Sequence, residues 1–145
     1  KSQHSFSIIF LESQGEFKTY LEQNINALTE HFQPHNIKMQ IDDVSKLEEK
    51  TYDLILCNPP YFHRNRGRPS PNHQKMRCRF FAEGDAEIFF AHLLRALKVN
   101  GRAFILLHDG GVKHELMRVL PDDVVMKLCG VRKRVSLYSL ERLKK

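Results

Sequence analysis

The chain is 145 residues long, with 41% hydrophobic and 28% charged residues, a balance typical of a soluble globular domain with a sizeable core. That hydrophobic content excludes disorder of the whole chain, and no apolar run approaches the roughly 20 residues that span a bilayer. We therefore expect a single domain over residues 1–145 and no association with a membrane.

The three cysteines, Cys57, Cys78 and Cys129, are far apart and form no CxxC pair. An odd number at these spacings supports neither a disulfide framework nor a zinc site. We therefore predict a reducing, cytoplasmic location and no bound metal. We expect Cys57 and Cys129 to be small buried hydrophobes.

The first half of the chain alternates strand and helix patterns. Residues 6–11 are apolar and β-branched, lack a signal-peptide cleavage pattern, and are interpreted as a strand. From Gly15 the apolar residues recur at three- and four-residue steps, which predicts a helix with one buried face that ends at Pro34. Residues 37–41 alternate as a strand, and residues 52–57 are nearly all apolar, as in a strand covered on both faces.

The second half is predicted to contain a loop, two helices, a strand and a hairpin. These are a loop over 63–79, a helix over 85–98 ended by Asn100-Gly101, a strand over 103–107, a helix over 112–120, and an antiparallel hairpin from 124–131 and 135–143. The buried stripe of the first of these helices is predicted to be Ile88, Phe89, Leu93, Leu94 and Leu97.

Alternation of strands and helices predicts an α/β fold with a mostly parallel sheet, helices on both faces and a C-terminal antiparallel hairpin. In such sheets, ligands bind beyond the carboxyl ends of the strands. Glu12, Asp43, Asn58 and the pair His108-Asp109 all stand at predicted strand ends. We expect the first three to form part of a site, and we assign no role to His108-Asp109.

The stretch "DLILCNPPYF", residues 53–62, ends a strand abruptly in Asn58-Pro59-Pro60-Tyr61. Two consecutive prolines cannot continue a sheet ladder, and each restricts the residue before it. The strand therefore ends in a stiff loop that presents an amide, Asn58, and an aromatic ring, Tyr61.

Positive charge is concentrated directly after this loop. The net charge of +6 is matched by six basic residues between positions 63 and 79, a segment without acidic residues: Arg64, Arg66, Arg68, Lys75, Arg77 and Arg79. Positive charge concentrated in this way indicates a polyanionic partner, with nucleic acid as the first candidate.

These features together resemble the S-adenosylmethionine-dependent amino-group methyltransferases of the Rossmann-like class. Asn58-Pro59-Pro60-Tyr61 resembles their (D/N/S)PP(Y/F) motif, and "ALKVNGRAFILL" is similar to the helix–glycine–strand passage after it. Glu12, in "IIFLES", resembles the acidic residue that binds the cofactor ribose. Asp43, in "IDDV", resembles the residue that binds the adenine amino group, with Val44 beside it. The resemblance implies a class I methyltransferase sheet and S-adenosyl-L-methionine as cofactor.

The chemistry of amino methylation explains the motif. The lone pair of an exocyclic or amide nitrogen is delocalised, so the nitrogen must be held in position to react. The side-chain oxygen of Asn58 and the carbonyl of Pro59 can each accept one N–H, and the two prolines fix those acceptors in advance. Tyr61 can stack on a planar base and Phe62 can extend that surface. Asn58 is also expected to lie beside the cofactor.

One motif of the family is missing. None of the seven glycines fits the Asp/Glu-x-Gly-x-Gly-x-Gly loop that should precede the strand of Glu12. We therefore expect a sheet that lacks its first strand, with cofactor binding by these 145 residues correspondingly weak. We expect the sequence to be part of a longer chain, the alternative being a degenerate stand-alone homologue.

The motif, the basic segment and the helix after it most resemble the bacterial tRNA adenine-N6 methyltransferases of the small-methyltransferase-domain group. RNA, most specifically tRNA, is the expected substrate, read by shape. The basic residues named above are its expected contacts, together with Tyr61 and Phe62. Two alternatives remain open: a glutamine N5 protein methyltransferase, and a non-catalytic RNA-binding remnant of the same fold.

Overall fold

The computed structural model describes residues 7–31, 36–63 and 71–144, and the chain folds as two compact units, Lys1–Lys46 and Leu47–Lys145. None of the helices in these ranges is long and apolar enough to cross a membrane. The single domain expected from the sequence remains a prediction.

The first unit is a strand–helix–strand motif. It contains β1 (Ser7–Glu12), α1 (Lys18–His31) and β2 (Asn36–Ile41), with short 3-10 turns at Gly15–Phe17 and Val44–Lys46. The two strands pair in parallel, with Glu12 opposite Ile41, so both strands end at the same edge. The positions of the strands and the helix predicted for this region are confirmed within the described residues. The predicted buried face of α1 is wrong, because Tyr20 is 65% exposed and no described side chain of the helix is fully buried. The predicted helix end at Pro34 lies outside the described residues.

The second unit holds the larger sheet. Its elements in chain order are β3 (Tyr52–Cys57), β4 (Phe62–His63), α2 (His73–Arg79), β5 (Phe80–Phe81), α3 (Asp85–Ala96), β6 (Leu97–His108), α4 (Lys113–Arg118), β7 (Val124–Arg132) and β8 (Val135–Arg142). Four strands form one sheet in the order β3-β6-β8-β7, and β4 and β5 form a short parallel pair.

Strand directions in the four-stranded sheet follow the prediction. β3 and β6 are parallel, and β8 is antiparallel to both of its neighbours, β6 and β7. Only β8 is therefore reversed, and the predicted C-terminal hairpin of β7 and β8 is confirmed. The carboxyl ends of β3 and β6 lie at one edge, together with the turn between β7 and β8.

The core lies between the sheet and the helices α3 and α4. Its largest fully buried side chains are Phe90, Leu93, Leu94, Leu97, Ile105, Leu107, Val112, Leu116 and Leu140. The buried Arg142 donates from its guanidinium to the carbonyl oxygen of Leu94 at 2.9 Å, and so satisfies a backbone acceptor near the end of α3.

Two predictions about α3 are wrong. Leu93, Leu94 and Leu97 are buried as predicted, but Ile88 is 58% exposed and Phe90 is fully buried in its place, so the first turn and a half of the buried stripe was misplaced. The helix also ends at Ala96, where Leu97 begins β6, and Gly101 lies within that strand rather than at a helix cap. A Cβ on Gly101 would stand only 2.9 Å from the carbonyl oxygen of Lys98 and 3.0 Å from that of Tyr52. The glycine therefore permits close backbone approach between β6 and β3.

Burial also differs from expectation on β3 and β7. Leu54 and Leu56 are 56% and 75% exposed, so β3 is not covered on both faces. They lie on the sheet face opposite Ile55 and Cys57, whose partners Ala103 and Ile105 are buried, because side chains alternate along a strand. Cys129, expected to be buried, is exposed on β7 at the register shift between Leu128 and Gly130.

The predicted loop over 63–79 contains a helix, α2, within its described part. The Asn72 side chain accepts from the backbone N–H of Lys75 at 3.1 Å and caps the helix. Little in the sequence indicates α2, because its seven residues carry no helical hydrophobic period.

Candidate functional site

The Asn58–Tyr61 loop begins where β3 ends, at the carboxyl edge of the four-stranded sheet. Asn58 is exposed, Pro59 is buried and Pro60 is half-buried. The prolines therefore anchor the loop while the amide faces solvent. Burial raises the pKa of the neighbouring Cys57 thiol to about 12, so this cysteine stays protonated at neutral pH and is no nucleophile.

Tyr61 is held at both of its backbone groups. Its N–H donates to the carbonyl of Arg79 at 3.1 Å, and its carbonyl accepts from the N–H of Val112 at 3.1 Å. The loop is thereby tied to the end of α2 and to the segment that begins α4. A Cβ on Gly111 would overlap the Tyr61 carbonyl oxygen and stand 2.9 Å from that of His108, so only glycine permits this contact.

The hydroxyl of Tyr61 donates to Oδ1 of Asn58 at 2.7 Å. This hydrogen bond fixes the orientation of the Asn58 amide. An amide oxygen has two lone pairs, so Oδ1 can accept one further hydrogen bond while Tyr61 stays in place.

Three rings lie together beside this amide. The ring of His108 is centred 4.8 Å from that of Phe62 and 6.0 Å from that of Tyr61, and Tyr61 and Phe62 meet edge to face at 6.2 Å. Phe80 continues the group at 6.1 Å from Phe62. We call Tyr61, Phe62, His108 and Phe80 the ring cluster.

His108 had no role in the sequence-based prediction. Its place at the last position of β6, the strand paired with β3, was the available signal. Its Nδ1 lies 2.7 Å from the carbonyl oxygen of Asp109, which fixes the ring against the cluster.

A second interaction missed by the sequence analysis joins His63 to Glu115. His63 Nε2 and Glu115 Oε1 are 2.6 Å apart. Because the two residues are 52 positions apart in the sequence, no local sequence pattern indicates this contact. Burial would raise the pKa of Glu115, but the hydrogen bond with His63 and the charges of His63 and His114 lower it below its usual value of 4.5.

This pair lines a cavity of about 400 Å³. The cavity wall is formed by His63, Glu83, Gly84, Ala86, Glu87, Glu115 and Arg118. Arg118 and Glu87 form an ion pair of 2.9 Å at this wall. Among the described residues, no group of three His, Cys, Asp or Glu could hold a metal ion.

Of the six basic residues predicted to contact RNA, three lie within the described residues. Lys75, Arg77 and Arg79 lie on α2 and are exposed, and Arg79 stands 5.7 Å from the centre of the Phe80 ring. Arg64, Arg66 and Arg68 lie outside the described residues. The described part of the basic segment, α2, therefore adjoins the ring cluster through Arg79.

The predicted cofactor residues of the first unit lie at one edge of its sheet. Glu12 ends β1, and its backbone carbonyl accepts from Asp42 N–H at 3.0 Å, beside Asp43. Glu12 Oε1 accepts from Gln14 N–H at 2.8 Å, and Asp43 Oδ1 accepts from Ser45 N–H at 2.9 Å. Val44 is buried. Asp43 is exposed and Glu12 is half-buried, and their role in binding a cofactor stays a prediction.

Comparison with known proteins identifies structures of similar fold but no relative by sequence. No protein-family model matches the chain, and no curated protein matches it in sequence. The chain is, however, similar to several solved structures.

TrmN from Thermus thermophilus is 17% identical, with a TM-score of 0.60 over 94% of this chain and 36% of its own. A candidate methylase from Haemophilus influenzae is 16% identical, with a TM-score of 0.59 over 95% of this chain and 73% of its own. The 16S rRNA N2 methyltransferase RsmC of T. thermophilus, in complex with AdoMet and guanosine, is 14% identical, with a TM-score of 0.53 over 99% of this chain and 37% of its own.

The chain thus spans between about one third and three quarters of the length of these structures. It has the α/β fold of the class I Rossmann-like methyltransferases, as the sequence predicted. Likeness at these identities concerns the fold, and the assignment of chemistry depends on the site itself.

We expect Gly111→Ala to lower the free energy of unfolding by roughly 1–3 kcal/mol, because the added methyl group must displace the Tyr61 carbonyl. Urea denaturation of the full-length protein measures this. Gly130→Ala is the matched control, since nothing lies within 4 Å of its Cβ position, and it should change stability by less than about 0.5 kcal/mol. Equal effects of the two changes would contradict the assigned contact.

We expect Glu115 to stabilise the protein in a pH-dependent way. Its pKa is lowered in the folded state, so its contribution is present above pH 4.5 and is lost as the pH falls through the lowered value. Urea denaturation across this range should show wild type more stable than Glu115→Gln at neutral pH, with the difference shrinking on acidification. Glu83→Gln, on the same cavity wall, is the matched control for the loss of a carboxylate. A pH-independent difference for Glu115→Gln would contradict the assigned interaction with His63.

Proposed function

We propose that the protein is an S-adenosylmethionine-dependent methyltransferase that acts on an exocyclic amino nitrogen, specifically adenine N6 in RNA, with tRNA as the substrate class. The observation that carries the proposal is the exposed Asn58 amide at the carboxyl end of β3, held at 2.7 Å by the Tyr61 hydroxyl beside a cluster of rings.

The Asn58–Pro59 pair suits the binding of an amino group. An aromatic amine has two N–H donors and a lone pair delocalised into the ring. Asn58 Oδ1 and the Pro59 carbonyl are two acceptors on consecutive residues, and Oδ1 keeps one lone pair free beside the Tyr61 bond. With both N–H groups held, the nitrogen lone pair is directed out of the base plane, the orientation that displacement at a methyl group requires.

The ring cluster suits a planar base. Tyr61 is fixed at its N–H, its carbonyl and its hydroxyl, so its ring loses little further freedom when a base stacks on it. Each base–aromatic stack contributes about 1–3 kcal/mol to binding. His108, packed against Tyr61 and Phe62, supports that ring from the end of β6.

The proposed reaction needs no proton acceptor of shifted pKa. A methylated aromatic amine loses its extra proton readily, and the exposed position of Asn58 gives that proton a path to solvent. His63 is directed instead at Glu115, with 2.6 Å between them.

The residues of the first unit fit the proposed cofactor by donor type. Ribose hydroxyls and an adenine amino group are donors, and Glu12 and Asp43 present carboxylate acceptors at one edge of the β1–β2 sheet. S-adenosyl-L-methionine, when bound, supplies an electrophilic methyl group carried on a sulfonium. Val44 supports this edge from the interior of the unit.

An RNA substrate is supported by charge. Lys75, Arg77 and Arg79 lie exposed on α2, and the last of them reaches the ring cluster. Among the described residues none of the three forms an ion pair with a carboxylate, so their charge is available to phosphates. The fold is shared with RsmC, a 16S rRNA N2 methyltransferase that holds guanosine.

We expect Asn58→Ala in the full-length protein to lower kcat about 100-fold or more while leaving affinity for S-adenosylmethionine nearly unchanged. The lost acceptor would orient the reacting amino group, an effect that appears in turnover. Transfer of a tritiated methyl group to tRNA measures kcat, and calorimetry measures cofactor affinity. Asn24→Ala, an exposed asparagine on α1, is the control and should behave as wild type. Turnover of Asn58→Ala within about threefold of wild type would remove Asn58 from the reaction.

A further inference from the structure

The turn between β7 and β8 is a second concentration of positive charge, formed by Arg132, Lys133 and Arg134, which we call the hairpin turn. Arg132 pairs with Val135, so the connection is two residues long, and all three side chains are exposed. Lys133 has a φ of 57°, a left-handed conformation that hairpin turns usually assign to Gly, Asn or Asp. A lysine at this position carries a conformational cost without a packing benefit.

The hairpin turn lies at the same sheet edge as the Asn58–Tyr61 loop. Val135, the first residue of β8, pairs with His108, the last residue of β6. The backbone N–H of Asp109 also donates to the carbonyl of Arg134 at 2.8 Å. Because His108 packs against Tyr61 and Phe62, the hairpin turn is one residue removed from the ring cluster.

The cations of this turn differ from those near the opposite edge of the sheet. Three basic side chains there have carboxylate partners: Lys98 with Asp53 at 2.8 Å, Arg102 with Glu141 at 3.2 Å, and Arg95 with Glu49 at 3.3 Å. Within the described ranges, Arg132, Lys133 and Arg134 form no ion pair. The neighbouring carboxylate of Asp109 offsets only part of their charge.

We infer that the hairpin turn binds backbone phosphates of the RNA strand that flanks the base held at the ring cluster. The inference rests on the proposed function for its RNA, and it adds a phosphate contact that neither the motif nor the basic segment over 63–79 supplies. A base inserted at Asn58 and Tyr61 leaves its neighbouring phosphates at this edge of the sheet.

The chemistry of the turn fits phosphates. The guanidinium group of Arg132, at the end of β7, joins the ammonium and guanidinium groups of Lys133 and Arg134 on the two-residue connection. These are long, adjustable donors on a hydrogen-bonded backbone, suited to oxygen acceptors whose positions vary with sequence. Binding there is independent of base identity and releases counterions from the strand. The turn therefore fixes where the strand lies, and Asn58 with the ring cluster selects the base.

The test is the salt dependence of RNA binding by the full-length protein. Fluorescence anisotropy of a labelled single-stranded, adenine-containing oligonucleotide gives K from low to moderate salt for wild type and for the double variant Arg132→Gln/Arg134→Gln. If both arginines contact phosphates, the slope of log K against log salt should shrink by about 1.4, or about 0.7 for each lost contact. Arg132→Lys/Arg134→Lys keeps the charge and should keep the slope.

The matched control is Lys50→Gln/Lys144→Gln, which removes two exposed positive charges from the opposite edge of the same unit. Its slope should stay near that of wild type. An unchanged slope in the arginine-to-glutamine variant, an equal fall in the control, or the absence of RNA binding by wild type would overturn the inference.

Methyl transfer to the same oligonucleotide, measured in parallel, separates the two proposals. Turn-dependent binding without methyl transfer by wild type would sustain the hairpin turn and contradict the proposed function. Methyl transfer by wild type, with a salt slope that is the same in the arginine-to-glutamine variant, would sustain the proposed function and contradict the role of the hairpin turn.

Discussion

The candidate site depends on how the backbone of Tyr61 is held. Its N–H and carbonyl are both hydrogen-bonded, to Arg79 and Val112, and the second bond exists only because Gly111 carries no side chain. Three segments that are distant in sequence thereby meet at the end of β3. With the backbone fixed, the hydroxyl of Tyr61 can orient the Asn58 amide, and Pro59 resists rearrangement because it is buried. The site is preorganised by the fold, which is what transition-state stabilisation needs.

In the second unit, exposed positive charge lies near the edge of the sheet that carries the Asn58–Tyr61 loop. Three basic side chains near the amino edge of the sheet are paired with carboxylates, while those on α2 and in the hairpin turn are exposed near the carboxyl edge, beside the ring cluster. This placement of cations is what the proposed function requires of a polyanionic substrate, whose base must reach the Asn58 amide.

Local pattern predicted much of this fold and less of the site. β3 was predicted at its observed bounds because an apolar run met two prolines, and the β7–β8 hairpin because two extended runs flank a short basic turn. Gly101 was misassigned because Asn-Gly after a helix is typical of a cap, whereas the reason for the glycine is the Tyr52 carbonyl on another strand. The His63–Glu115 pair and the contact of His108 with Tyr61 join residues that are 52 and 47 positions apart in the chain. Hydrophobic periodicity describes only neighbouring positions, so it could not predict these contacts.

The identity of the methylated atom tests the central claim most directly. Full-length protein would be incubated with tRNA and S-adenosylmethionine carrying an isotopically labelled methyl group, and the RNA digested to nucleosides for mass spectrometry. The account predicts label in N6-methyladenosine, formed by wild type and lost in Asn58→Ala. Label on a ring nitrogen, on a ribose oxygen or on a protein glutamine, or none in any nucleoside, would contradict it.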